Sequence, residues 1–231
     1  MVQAYTGVDN LEVMREAANY QNYLVGLVAS GAGNASKRLI DFGAGLGSYA
    51  QSLTDRGYSV ACIESDDKLR RRLKDEGLEA HKELKELGEG SAEFIYSLNV
   101  LEHIKDDEAI IGQLGSVLAP GGKLLLYVPA FQVLYSSMDR KVGHYRRYSL
   151  SKLSRLIEQP GLKVERAQYV DSLGFFATLL FKFAGNNDGD INSIGLRIYD
   201  RAVLPVSLWL DRLTGRFVGK NLLIVASKLG S

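Results

Sequence analysis

From Arg38 onward, short apolar runs alternate with longer segments whose apolar residues recur every three or four positions. The first pattern is that of buried strands and the second that of amphipathic helices. The spacing predicts strands at 38–42, 58–63, 78–81, 93–98 and 122–128, and helices at 47–57, 66–76, 106–118 and 149–158. Strands that alternate with helices of this length require right-handed crossovers and a parallel sheet covered on both faces. The fold class is therefore α/β, doubly wound and mostly parallel. Upstream, Leu11, Met14, Ala17, Ala18, Tyr20, Leu24 and Val25 recur at near-helical spacing, so residues 1–30 form a helical lead-in, with the helix itself over 10–30.

The end of the chain breaks the alternation. Segments 161–170 and 216–228 read as strands, yet the interval between them is too long for a simple crossover helix. It holds the apolar pieces "LGFFATLLFKFAG" and "RAVLPVSLWLDRL" around the polar loop "NNDGDINS". Both pieces fall short of the roughly 20 residues of a bilayer span. The expectation is one domain, 1–231, with a helical insertion or lid over 172–214. Segment 173–213 admits three readings. It is a lid supplying Phe175, Phe176, Phe181 and Trp209 to an apolar acceptor cavity, a surface meeting a membrane or a second subunit, or plain cover for the sheet. A lid that is partly core is the preferred one.

Composition narrows the function classes. A net charge of +1 on 231 residues gives no electrostatic argument for a nucleic-acid partner. The basic run from Lys68 to Lys74 falls in a helix and is followed by Asp75 and Glu76, as on a solvated face. Cys62 is the one cysteine, so no internal disulfide can form, and a reducing, cytoplasmic location is expected. The first twenty residues lack the basic start and apolar centre of a secretory signal.

The candidate chemistry starts at "LIDFGAGLGSYA", where Gly43, Gly45 and Gly47 follow an apolar run ending in Asp41 and Phe42. In an open parallel sheet, ligands bind at such a strand-to-helix turn. A dinucleotide fingerprint needs glycine or alanine where Ser48 stands. Asp41 would repel a pyrophosphate but pair with an ammonium. Glu64, closing the second strand, is placed to accept from both ribose hydroxyls. A nucleoside carrying an amino acid suits the turn better than a dinucleotide.

The stretches "LIDFGAGLGSYA", "VACIES", "FIYSLNVLEHIKDD" and "LAPGGKLLLYVPA", in this order, resemble the successive motifs of class I S-adenosylmethionine-dependent methyltransferases. The resemblance covers residues 38–130. It implies a Rossmann-like methyltransferase fold with an antiparallel last strand, and S-adenosylmethionine as cofactor. Asp41, Gly43 and Gly45 match the residues that hold the methionine end, with Gly47 completing the turn, and Glu64 matches the ribose-binding acid. Ser65 and Asp66 fall where the family contacts adenine. Glu83 stands where many relatives have an aspartate facing the adenine amino group, and Asn99 matches a position lining the sulfonium.

On the acceptor side the candidate is "DRKVGHYRRYSLSKL", which leaves the carboxyl end of the fifth strand. His144 is placed as a general base, Arg146 and Arg147 as holders of a carboxylate or phosphate, and Tyr145 and Tyr148 as packing for an acceptor ring. The competing reading makes His144 and the arginines tethers of the loop, with Ser149 or Ser151 capping the next helix. "GHYRRYS" is similar to a segment of a large bacterial branch of these methyltransferases. Some quinone-ring O-methyltransferases bind a divalent metal through E-x-x-E-H. Asn99 replaces the first acid before Glu102 and His103, so no metal is expected.

The function expected is transfer of a methyl group from S-adenosylmethionine to an oxygen or nitrogen of a small molecule. An NAD-dependent oxidoreductase is the alternative enzyme class, although Lys141 and Tyr145 stand in the reverse of the usual short-chain reductase order. A binding protein without catalysis is the remaining one.

Overall fold

The computed structural model describes residues 16–34, 37–183 and 193–230. Seven strands build one sheet: β1 (Arg38–Phe42), β2 (Ser59–Ile63), β3 (Glu79–His81), β4 (Ala92–Leu98), β5 (Leu118–Pro129), β6 (Leu162–Val170) and β7 (Asn221–Lys228). Their order is β3-β2-β1-β4-β5-β7-β6. Neighbours from β3 to β5 run parallel, and β7 is antiparallel to both β5 and β6. The doubly wound, mostly parallel reading holds, with the antiparallel strand inserted between β5 and β6.

The sheet is covered by α1 (Ala18–Ala32), α2 (Ser48–Thr54), α3 (Asp67–Asp75), α4 (Asp107–Val117), α5 (Ser137–Lys141) and α6 (Leu150–Glu158). The central strands are apolar on both faces because helices lie on both. Ile40, Ile95, Leu124 and Leu126 pack in one cluster, and Leu39, Phe94, Tyr96 and Leu125 in the other. Each such leucine contributes about 1.5–3 kcal/mol on burial. The helix starts follow side-chain caps: Asp66 Oδ1 accepts from Lys68 and Leu69 N–H, Asp106 from Ala109 N–H, and Ser149 Oγ from Lys152 N–H.

The sequence expectation over 47–57 contracts to α2, because Gly47 at φ 75° precedes it and the chain turns again at Gly57, φ 88°. β5 starts four residues ahead of the expected 122, since Leu118 pairs with Ala92 before an irregularity in the ladder. Of the helix expected over 10–30, the part before Glu16 lies outside the described residues; the described part is α1, which starts at Ala18 after a non-helical Ala17 and ends at Ala32.

Between β6 and β7 stand α7 (Ser172–Phe183) and α8 (Ser193–Ile198), the latter running through a π-helical turn (Tyr199–Val203) into α9 (Leu204–Thr214). The loop expected at 186–193 lies almost wholly outside the described residues. Buried carboxylates tie this segment down. Asp171 Oδ1 accepts from the Tyr199 hydroxyl, from the Ser207 hydroxyl at 2.8 Å and from Gly174 N–H at 3.1 Å. Asp211 accepts from the N–H groups of Asp171 and Ser172, at 2.6 and 2.9 Å. Asp200 accepts from the N–H groups of Asn19 and Tyr20, at 3.0 and 2.9 Å, satisfying the open start of α1.

Asp171→Ala strands three buried donors at once and is expected to cost about 2–4 kcal/mol. Urea unfolding checks this. A loss under about 0.5 kcal/mol, the range of an ordinary surface substitution, would deny Asp171 this anchoring role.

Candidate functional site

The carboxyl ends of β1, β2, β4, β5 and β6 meet at one edge of the sheet, the position at which open α/β sheets bind ligands. Among the described residues, three non-glycine positions have φ in the left-handed region: Asn99 (56°), Phe131 (58°) and Asp171 (66°). They directly follow β4, β5 and β6 at that edge, or lie one residue beyond it in the case of Phe131. Strained backbone of this kind gathers at functional sites.

The glycine turn after β1 is organised by its neighbour strand. Gly43 and Ala44 N–H both donate to the Ile63 carbonyl, at 2.8 and 3.2 Å. Gly45 N–H donates to Glu64 Oε2 at 2.8 Å, and Asp66 N–H donates to Oε1 of the same carboxylate at 2.9 Å. Glu64 thus ties the turn to the start of α3. All three glycines have positive φ, at 84°, 56° and 75°. A Cβ on Gly43 would stand 2.4 Å from Val100, and one on Gly47 would stand 2.5 Å from Leu73. Close packing therefore accounts for the outer two glycines.

Asp41 is 2% exposed, and its Oδ2 is buried without a hydrogen-bond partner. Burial pushes its carboxyl up to about 7, with the Tyr96 hydroxyl opposing and the Glu64 charge adding. A cationic group arriving here would relieve the burial of this acid. That orphaned oxygen fits the ammonium of an amino acid. Glu64, whose oxygens each accept one backbone bond, retains lone pairs for ribose hydroxyls.

The expected adenine-side residues are engaged locally. Asp66 caps α3, the Ser65 carbonyl accepts from Arg70 at 3.3 Å, and Glu83 forms a capping box with Glu86 and pairs with Lys85 at 2.6 Å. Asn99 Nδ2 donates to the Tyr20 hydroxyl at 3.3 Å. In the sequence Tyr20 falls in the apolar stripe of the expected lead-in helix. Only the fold reveals that α1 carries this hydroxyl to the end of β4, 79 positions away.

A second polar group forms beside Asn99. Glu102 and His103 belong to a single 3-10 turn (Leu101–His103), and His144 arrives from the loop beyond α5. The rings of His103 and His144 meet edge to face with centroids 4.5 Å apart. His144 Nδ1 lies 2.7 Å from Asp139 Oδ1, and Nε2 lies 3.8 Å from Glu102 Oε1. Glu102 is fully buried with neither oxygen hydrogen-bonded, and burial pushes its carboxyl up to about 8. Burial also pushes the His103 ring down to about 4. Glu102, His103 and His144 bring donor atoms within 4.8 Å of one another, close enough to hold one cation.

Asp139 is the organiser of this loop. It also accepts from Arg147 Nε at 2.9 Å and Nη2 at 3.1 Å, and from Ser136 N–H at 2.8 Å, and these partners together with His144 hold its carboxyl down at about 2 against burial. Arg146 pairs with Asp107 at 2.7 Å and donates to the Lys105 carbonyl at 2.7 Å. Both guanidinium groups are thus engaged by the chain itself. Tyr145 donates its N–H to the Glu102 carbonyl at 2.8 Å, and its ring is 53% exposed. Tyr148 is wholly buried, with its hydroxyl on Asp107 at 2.8 Å, so it belongs to the core instead of an acceptor surface.

Over the same edge, Phe131 stacks on Tyr169 at 4.5 Å and meets Phe175 edge to face at 5.2 Å, and Phe175 in turn meets Phe176. Of the residues that a lid would supply to a cavity, Phe176, Phe181 and Trp209 are exposed.

The chain matches the family described as a methyltransferase domain over residues 14–167. Comparison with curated proteins gives no match. Among solved structures it is similar to a phosphoethanolamine N-methyltransferase of Haemonchus contortus in complex with S-adenosylmethionine, at 16% identity and a TM-score of 0.61, covering 90% of this chain and 52% of that one. A methyltransferase dependent on the same donor from Archaeoglobus fulgidus gives 14% identity and a TM-score of 0.59 over 92% and 94% of the two chains. The cyclase SpnF gives 16% and 0.62 over 90% and 82%. At these identities the structural likeness establishes the fold.

Proposed function

Given that the chain belongs to the methyltransferase-domain family, with S-adenosylmethionine as methyl donor, we propose that it methylates an oxygen or nitrogen of a small-molecule acceptor presented at His144. When bound, the donor supplies a methyl group on a sulfonium, open to displacement by a lone pair. The protein's part is to align that lone pair and to remove a proton where the acceptor carries one. Asp41 would hold the ammonium, Gly45 and Glu64 the nucleoside side, and Asn99 with Tyr20 the wall next to the acceptor.

The observation that carries the reading is the Asp139–His144 pair beside the unpartnered Glu102. Asp139 fixes the imidazole through Nδ1, which leaves Nε2 as the atom that takes the acceptor proton. A polar acceptor group reaching Nε2 also lies within reach of Glu102, whose oxygens need a partner. Incubation with S-adenosylmethionine and a panel of amines and phenols, read as S-adenosylhomocysteine formed, tests the function. No turnover across the panel, with the donor bound, favours a binding protein. Replacing His144 by Ala should lower turnover by roughly 10²–10⁴-fold while cofactor affinity stays within about threefold. Equal loss of both, or loss of folding, favours the tether.

A second reading follows from the three clustered donors. A divalent cation on Glu102, His103 and His144 would hold the acceptor oxygen in place of a base, with Asp139 behind His144 as the orienting carboxylate such ligands carry. Chelation by EDTA separates the two. Turnover lost and restored by added Mg²⁺ or Zn²⁺ assigns the cation, and unchanged turnover assigns the base.

A further inference from the structure

Ten of the fourteen large hydrophobic residues exposed among the described ones fall within 172–217: Phe176, Leu180, Phe181, Phe183, Ile194, Ile198, Val206, Trp209, Leu213 and Phe217. They are ordered. Phe176, Leu180 and Phe183 follow one another at helical spacing along α7, and Val206, Trp209 and Leu213 do so along α9. A helix ordinarily turns such a stripe to the core. Here the core side is already occupied by other residues, including buried Ser172, Gly174, Leu204 and Ser207. Patches of this kind mark a surface that something covers.

Charge decides what covers it. The exposed charged residues of this segment, among those described, are Lys182, Arg197, Arg201, Arg212 and Arg216. Among the described residues its acids are withdrawn, Asp200 onto the start of α1 and Asp211 onto the start of α7, and Arg197 pairs with Glu16 at 2.9 Å. Lys182, Arg201, Arg212 and Arg216 thus leave the described part of this apolar face predominantly cationic on a chain of net charge +1. A two-fold contact between copies sets the same patch against itself, cation facing cation. Aromatic side chains mixed with arginine and lysine on short helices instead match the boundary of an anionic bilayer, where rings enter the acyl margin and cations meet phosphates. None of the described helices is long and apolar enough to cross a membrane.

We propose that helices α7 and α9 form a peripheral docking face for an anionic lipid surface, seated by Leu180, Phe183, Trp209 and Leu213 and steered by Arg212 and Arg216. The protein would lie on the membrane with the Phe131–Phe175 edge of its site next to it.

The test is flotation of the full chain with vesicles of phosphatidylcholine, alone or with about 30% phosphatidylglycerol to supply an anionic surface. The expected result is flotation with the anionic vesicles only, weakened at least about tenfold by Arg212→Glu with Arg216→Glu and by Trp209→Asp. S-adenosylhomocysteine affinity, unchanged in these variants, shows that they fold. Absence of flotation overturns the proposal, and so does equal binding of the variants. A concentration-dependent dimer by sedimentation velocity, without flotation, assigns the face to a second copy.

Discussion

Gly45→Val should abolish S-adenosylmethionine binding, with a loss of at least about 100-fold, or roughly 2.7 kcal/mol. Gly45 sits at φ 56°, a conformation a β-branched residue scarcely adopts. Its N–H is the link to Glu64, so a turn that relaxes to suit valine also releases the ribose-side carboxylate. The glycines on either side behave differently. Gly43→Ala and Gly47→Ala drive a methyl into Val100 and Leu73, and the expected loss is in melting temperature before affinity. Calorimetric titration and a thermal melt on each variant separate the two classes. Unchanged affinity in Gly45→Val would refute the site.

The second large effect is on pH. In the free protein Asp41 is held up to about 7 by burial, so an unliganded carboxyl is largely protonated at pH 6. An ammonium partner pairs with the ionised form. Below pH 7, binding must therefore drive a proton off Asp41, and affinity should fall by up to about tenfold per pH unit between 7 and 5.5. Asp41→Asn should lower affinity at pH 7.5 by about 10–100-fold and flatten this dependence, since no proton is left to displace. The folding linkage has the opposite sign. An acid whose folded value is raised adds stability that is full below about 4 and is lost as pH rises toward 7. The rise in melting temperature on adding cofactor should accordingly be larger at pH 7.5 than at pH 6. A wild-type affinity independent of pH over this window would remove Asp41 from the ammonium site.

Much of this architecture is visible in the order of residues. The central strands β1, β2, β4 and β5 are largely buried on both faces, so continuous apolar runs separated by amphipathic segments mark them almost directly. The glycine turn and Glu64 are visible for a similar reason, because the chemistry needs them next to strand ends. The helical segment 172–214 is less transparent. Its apolar residues point outward as well as inward, so periodicity alone does not assign a face. Phe176, Phe181 and Trp209, which a lid would turn toward a cavity, are exposed.

The acceptor side is the least legible part, because its contacts join distant stretches. Tyr20 with Asn99, Glu102 with His144, and Asp200 with the start of α1 are each brought together by the sheet edge. One signal was available. Asp139 lies five residues before His144 and eight before Arg147, within reach of both across a single loop, and it proves to be the carboxylate that orders them.

In the proposed function, donor and acceptor meet between the Asp41–Glu64 group and the His144 group. A crystal structure with S-adenosylhomocysteine bound tests it most directly. The expected result is the amino group on Asp41 Oδ2, the ribose hydroxyls on Glu64, and the sulfur opening past Asn99 and Tyr20 toward His144. A ligand whose sulfur faces away from His144, or one bound without contact to Asp41, would contradict it.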